Sequence, residues 1–259
     1  MKLNQQNCPI TCLYFCEGHE ILLVASGGLL EAFSSSSECL DSLPIFKNTT
    51  HQIHRIVELE NSSFAILGGK SLRVISYCPK LRILQEIASE SLEFEDWTLD
   101  VRWIKNKLYS ISAHNVVLRR EKEATETIQC SDEKCILYSA SLLEDEKAVV
   151  VLGGTVFRQV IIWICEGHGK GQVVHRLEGH EGVIFSVEFS AQTSLICSTS
   201  DDRTARLWKV NKSSTWNDAE LTPLFVLKEV HSSRIFKSHF VSDGSKIVTG
   251  GKICRLDNF

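Results

Sequence analysis

Short apolar runs alternate with polar, glycine- or serine-rich breaks along this chain, and the runs recur. A run ending in a pair of small residues appears at Leu22 to Gly28, Phe64 to Gly69, Leu108 to Ala113, Val149 to Gly154, Leu195 to Ser200 and Lys246 to Gly251. Counted from the last small residue, the spacings are 41, 44, 41, 46 and 51 residues. Runs this short, bounded by turn signals, read as buried strands rather than helices. A turn and a second β-type run follow, as in Leu72-Arg73-Val74-Ile75, Val116-Val117-Leu118, Val160-Ile161-Ile162-Trp163 and Ala205-Arg206-Leu207-Trp208. A third strand precedes, such as Val101-Arg102-Trp103-Ile104 or Ile184 to Phe189, and a fourth closes the unit, such as Leu81 to Leu84 or Val173 to Leu177.

Four short strands in a unit of about 40–45 residues is the pattern of a propeller blade. Units start near residues 10, 53, 98, 137, 183 and 235. The expected fold is therefore all-β, a β-propeller domain over residues 1–259 with about five complete blades and a partial sixth. The stretch Glu86 to Trp97 reads as a connecting loop. The small-residue pairs predict tight turns, where positive φ or close backbone approach is needed. The sixth unit stops at Phe259 without room for a turn Asp and a Trp. A closed seven-blade ring needs on the order of 300 residues. The chain thus reads as an incomplete ring: a fragment, a truncated gene model or an isoform. An unclosed end exposes strand edges.

One unit carries a sharper motif. Gly179-His180 is followed by Ser198, Asp202 and Trp208-Lys209. This resembles the WD-repeat family. The resemblance implies a buried relay in which the Trp208 indole donates to Ser198, Ser198 bonds His180, and Asp202 orients His180. A fully satisfied polar network of this kind pins blade register. The preceding unit keeps Trp163 but has Phe157 where the Asp should stand, so the array is a divergent one with a single good repeat.

Longer strings narrow the resemblance: Asp96 to Trp103, Ala113 to Leu118, Gly179 to Val187, Ser200 to Val210 and His231 to Phe236. Together they are similar to the N-terminal propeller of the WD repeat-containing protein 6 family, along most of residues 20–250 and most strongly at 96–120 and 179–210. That resemblance implies a non-catalytic scaffold beside a tRNA 2'-O-methyltransferase that methylates the wobble nucleotide, position 34. The enzyme supplies the S-adenosylmethionine site and the propeller helps place the tRNA. The implied partners are the methyltransferase subunit, tRNA and, from animal members, a signalling kinase.

Composition removes other classes. The 28 Lys+Arg against 32 Asp+Glu give a net charge of −4, which excludes a chain that grips nucleic acid by bulk field. Hydrophobic residues at 43% and charged residues at 23% fit a folded chain rather than a disordered one. No run approaches the ~18 apolar residues of a membrane span. The first ten residues lack the apolar segment of a secretory signal. The ten cysteines then read as reduced thiols in a cytosolic or nuclear protein, and a cytoplasmic location is expected.

Candidate chemistry is sparse. Gly69-Lys70-Ser71 looks like the end of a phosphate loop, but Phe64 stands where the first glycine is needed and a strand follows. Cys16-Glu17-Gly18-His19 and Cys165-Glu166-Gly167-His168 are identical, yet occupy different places in their blades. Cys8, Cys12 and Cys16 are spaced by four, unlike a zinc knuckle, and share one strand face. His51 and His54 read as a strand start with one His exposed. There is no nucleophile elbow and no dinucleotide-type glycine loop. Hence no catalytic, cofactor or metal residue is assigned, and any methylation must be done by another chain. Glu90, Glu93, Glu95, Asp96 and Asp100 form one acidic stretch, and Glu144 to Glu146 another. Arg119, Arg120 and Lys122 form a basic spot. Solvated loop faces explain all three by default; contacts to a basic partner or to tRNA phosphate are the functional reading. Three rival readings stay open: a general WD-repeat adaptor in signalling or ubiquitin ligase assembly, a propeller enzyme, and a truncated chain that does not fold stably.

Overall fold

A computed structural model of the chain describes residues 9–46, 51–59, 62–122, 124–132, 135–212, 215–229, 231–241, 244–251 and 255–258. The described residues are mostly strand, arranged as successive antiparallel meanders, and they divide into two units, 1–103 and 104–259.

The first unit holds two meanders. One runs Ile10–Cys16, Ile21–Ser26, Leu29–Ser34 and Cys39–Pro44; the next runs Ile53–Glu58, Ser63–Gly68, Ser71–Cys78 and Ile83–Glu86. A short strand, Leu92–Glu93, pairs with Ser71–Cys78, and a 3-10 turn, Ala88–Glu90, precedes it. The loop expected over Glu86 to Trp97 is therefore partly ordered against the sheet. The reason is polar: Glu93 accepts bonds from Ser71 Oγ (2.5 Å) and Arg73 Nη2 (2.7 Å). The core between these sheets is apolar, with Leu23, Leu30, Phe64, Ile66 and Ile75 buried together.

The second unit holds a run Lys107–Ser112, Val116–Glu121 and Ala124–Gln129. Two complete meanders follow: Leu137–Glu144, Val149–Thr155, Val160–Glu166 and Val173–Leu177, then Ile184–Ser190, Leu195–Ser200, Ala205–Asn211 and Glu220–Leu227. The last has three strands, Ile235–Phe240, Lys246–Gly251 and Arg255–Asn258. By position in the chain these are blades three to six.

Middle strands read as unbroken apolar runs because both faces are covered. Every residue of Val149–Thr155 is buried, as are Val160 to Cys165. Leu152 and Ile162 of blade four pack with Ile184, Ile196 and Trp208 of blade five, each such side chain contributing about 1.5–3 kcal/mol when fully buried. Outer strands have one covered face and alternate, as Cys39–Pro44 does. Pro44 and Pro223 both lie on outer strands, where a missing N–H costs no ladder bond.

The turn between second and third strands uses a left-handed residue in the first five meanders: Gly27, Gly69, Asn115, Arg158 and Arg203, with φ of 60°, 63°, 63°, 73° and 68°. Glycine meets that need at Gly69. The pair Gly153-Gly154 does not; both residues lie inside a strand. Gly153 makes room instead, since a Cβ there would stand 2.6 Å from Leu137 Cδ2.

Candidate functional site

The polar motif of blade five comes together as one hydrogen-bonded chain. The Trp208 indole N–H donates to Ser198 Oγ at 3.1 Å. Ser198 Oγ lies 2.9 Å from His180 Nε2, and His180 Nδ1 lies 2.8 Å from Asp202 Oδ2. A carboxylate only accepts, so the proton sits on Nδ1, which leaves Nε2 to accept from the serine. Asp202 also accepts from the Glu181 amide (2.9 Å), the Thr204 amide (2.9 Å) and Thr204 Oγ1 (2.7 Å). Burial pushes the Asp202 carboxyl upward. The bonds from His180, Thr204 and the Glu181 amide outweigh that and hold it well below the usual carboxylate range. Three of the four residues are buried.

Neighbouring blades keep fragments of this arrangement. In blade six His231 Nε2 lies 2.8 Å from Thr249 Oγ1, both buried, at the same separation of 18 residues as His180 and Ser198. That spacing was available in the sequence and went unread. His231 Nδ1 is buried without a partner among the described residues. The following turn lies outside them, and its sequence, Lys252-Ile253-Cys254, holds no Asp. In blade four Trp163 is fully buried and its Nε1 finds no acceptor among the described residues. The ladder registers show why: Gly153 occupies the place that Ser198 holds in blade five, two positions from the Trp on the facing strand.

The remaining candidates separate. Gly69-Lys70-Ser71 is a strand-to-strand turn, with Lys70 Nζ on Glu95 O at 2.5 Å and Ser71 on Glu93. Cys16 Sγ donates to Glu58 Oε1 at 3.1 Å, whereas Cys12 Sγ faces Leu13 O; Cys8 lies outside the described residues. Cys165 and Cys197 are buried thiols pushed up to about 12 by desolvation, and so stay protonated and unreactive at neutral pH. None of the described cysteines is in a disulfide. Neither His51 nor His54 is fully exposed. They do not converge: His54 Nε2 bonds Thr98 O at 2.8 Å and His51 packs near Phe46. Among the described residues no group of His, Cys, Asp or Glu could hold a metal ion, and no helix is long and apolar enough to cross a membrane.

The charge clusters need correction as solvated faces. Asp100 is fully buried, paired with Arg55 at 3.0 Å and Arg102 at 3.8 Å. Glu93 is tied to Ser71 and Arg73. In the basic spot, Arg119 is held by Glu166 at 3.1 Å and by Glu126, so it is not free for a phosphate. Glu166 also accepts from the Tyr109 hydroxyl. Burial, then the Glu166 carboxylate, pushes the Tyr109 phenol up. Arg120 and Lys122 remain at the surface. The sequence reading passed over one further surface: three aromatic rings, Tyr138, Phe185 and Phe236, in adjoining blades of the second unit.

Comparison with known proteins agrees with this geometry. Residues 171–209 match the WD domain, G-beta repeat. The mouse tRNA (34-2'-O)-methyltransferase regulator WDR6 is 31% identical over 155 residues, covering 56% of this chain and 14% of that protein. The regulator of the same name from Drosophila melanogaster is 26% identical over 160 residues, covering 54% of this chain and 16% of its own length. The chain thus matches about one-sixth or less of the length of these curated relatives. Among solved structures, the WD40 β-propeller domain of Doa1 superposes with a TM-score of 0.67 at 14% identity, covering 92% of this chain and 74% of that one. The fold is that of a WD-repeat β-propeller, and the family resemblance drawn from the sequence strings is supported.

Proposed function

We propose that this chain, a WD-repeat β-propeller similar to tRNA (34-2'-O)-methyltransferase regulators, is a non-catalytic scaffold beside a tRNA 2'-O-methyltransferase. In this reading the partner enzyme methylates the wobble nucleotide and carries the cofactor, and the complex works in the cytoplasm. The observation that supports it most is the similarity of over half the chain to regulators of that name in both a mammal and a fly. The chemistry of the blades is consistent with it. The blade-five relay is saturated by bonds within its own blade, and function in such folds lies in the surface loops that the blades position. Contacts with tRNA and with a signalling kinase belong to the same proposal.

The test is affinity purification of the full-length gene product and of this chain from native cells, read by mass spectrometry. Ribose methylation at tRNA position 34 is measured in cells lacking the gene. Recovery of a ribose methyltransferase, with loss of that methyl group on deletion, is the expected result. Unchanged methylation, or recovery of a kinase or ligase subunit in place of a methyltransferase, overturns the scaffold reading in favour of a general adaptor.

A further inference from the structure

The inner strands of blades four, five and six each carry a one-residue slip, between Leu137 and Ser139, Ile184 and Ser186, and Ile235 and Lys237. The extra residue is aromatic every time: Tyr138, Phe185 and Phe236. A bulged residue leaves the ladder, and bulges re-aim side chains at functional edges. Here they bring the rings into a row. Tyr138 and Phe185 are 4.9 Å apart at 73°, and Phe185 and Phe236 are 5.1 Å apart at 45°. Tyr138 is 54% exposed and Phe236 48%. The blade-four turn closes on the same edge through Val156 N on Ile136 O at 3.1 Å, and it presents exposed Phe157. A cluster of exposed aromatics is not needed for the core and marks an interaction surface.

The charges around the row decide what covers it. Asp201 is paired with Arg234 at 3.1 Å, and Asp202 is saturated within the relay. Arg158 and Arg203, exposed in the turns of blades four and five, make no ion pair among the described residues. Glu181 is an exposed carboxylate on the same rim. A rim this close to neutral does not capture a polyanion, which needs an excess of cations. Aromatics with arginine and little lysine are instead the make-up of protein interface centres. We propose that this row is a docking site for a segment of a partner protein that lays an apolar side chain across Phe185 and Phe236. Carboxylates of that segment meet Arg158 and Arg203. The inference goes beyond the scaffold reading and does not depend on which enzyme is scaffolded.

The experiment places a photo-crosslinking benzoylphenylalanine at position 236 of the full-length protein in its native cells. The same probe at position 224, where exposed Leu224 lies on the outer strand of blade five, serves as control. Expected is a cross-link that maps to an apolar residue flanked by Asp or Glu in another protein, about tenfold above the control. The doubly charge-reversed variant Arg158→Glu with Arg203→Glu should lower it about tenfold, a difference in affinity of one order. Both arginines are exposed, so an unchanged melting temperature shows that the fold is intact; Tyr138→Ser is the second variant should that pair not fold. Cross-links to RNA or to a Lys/Arg-rich segment overturn the proposal. So does a yield no higher than the control, or one indifferent to charge reversal. Wobble methylation measured in the same cells judges the scaffold reading separately, since its loss or survival is independent of what cross-links at 236.

Discussion

Blades five and six carry the same histidine-to-hydroxyl pair at the same separation, yet only one of them completes it. In blade five Asp202 meets His180 Nδ1 and Trp208 meets Ser198, so each polar atom of the chain has a partner. In blade six the pair His231 and Thr249 is formed, but Nδ1 is left without a partner among the described residues. Blade four has gone further: the Trp survives, the hydroxyl has become Gly153, and Leu137 fills the space that the glycine leaves. The difference teaches that the apolar middle strands carry the fold in all three blades, with the relay as an addition. A half-satisfied buried network keeps its desolvation cost while losing part of its return. Blade four limits that cost by replacing polar contacts with packing.

The comparison can be broken most severely at its saturated end. Asp202→Ala removes four accepted bonds and should cost about 3 kcal/mol, read as a lowered denaturation midpoint. The same group sets a pH signature. Its folded pKa lies below its unfolded value of about 3.9, so its contribution is present above that pH and is lost as pH falls further. Asp202→Asn should flatten this loss in an acid titration of stability; an unchanged profile would show that the relay carries no linked proton. Next, Trp208→Phe should cost about 2 kcal/mol, combining a lost charge-free hydrogen bond with a small cavity. In blade six, Thr249→Val removes a single bond to a histidine already short of a partner, and about 1 kcal/mol is expected. The smallest effect belongs to blade four. Trp163→Phe also opens a cavity, but it deletes an N–H without an acceptor among the described residues, so the two should offset to within about 0.5 kcal/mol. Equal losses at Trp208 and Trp163 in chemical denaturation would remove the distinction between the blades.

Much of the architecture was legible because strand signals are local. Alternation, apolar runs and turn residues all act within a few residues, so the six recurring runs could be read without a fold; the motif at His180, Ser198, Asp202 and Trp208 was legible through its resemblance to WD repeats. The ordered segment at Leu92–Glu93 was missed because its hold on the sheet comes from Ser71 and Arg73, some twenty residues earlier. Asp100 looked like one more member of an acidic loop; it is buried because the Arg55 guanidinium comes to meet it. Arg119 looked available for phosphate, and Glu166, from the next blade, had already claimed it. In each case the deciding partner lies far along the chain.

The sequence by itself determined the all-β repeat and the four short strands of each unit, since these follow from periodicity and short-range spacing, while the relay residues came from the resemblance to WD repeats. Only the tertiary structure decided which polar groups are satisfied and which are orphaned. It also decided that three bulged aromatics on separate strands share one edge. The physical reason is that hydrogen-bond satisfaction and ring contact depend on positions to within a few tenths of an ångström between residues about 20 to 50 apart in the chain, and nothing in a linear pattern carries that distance.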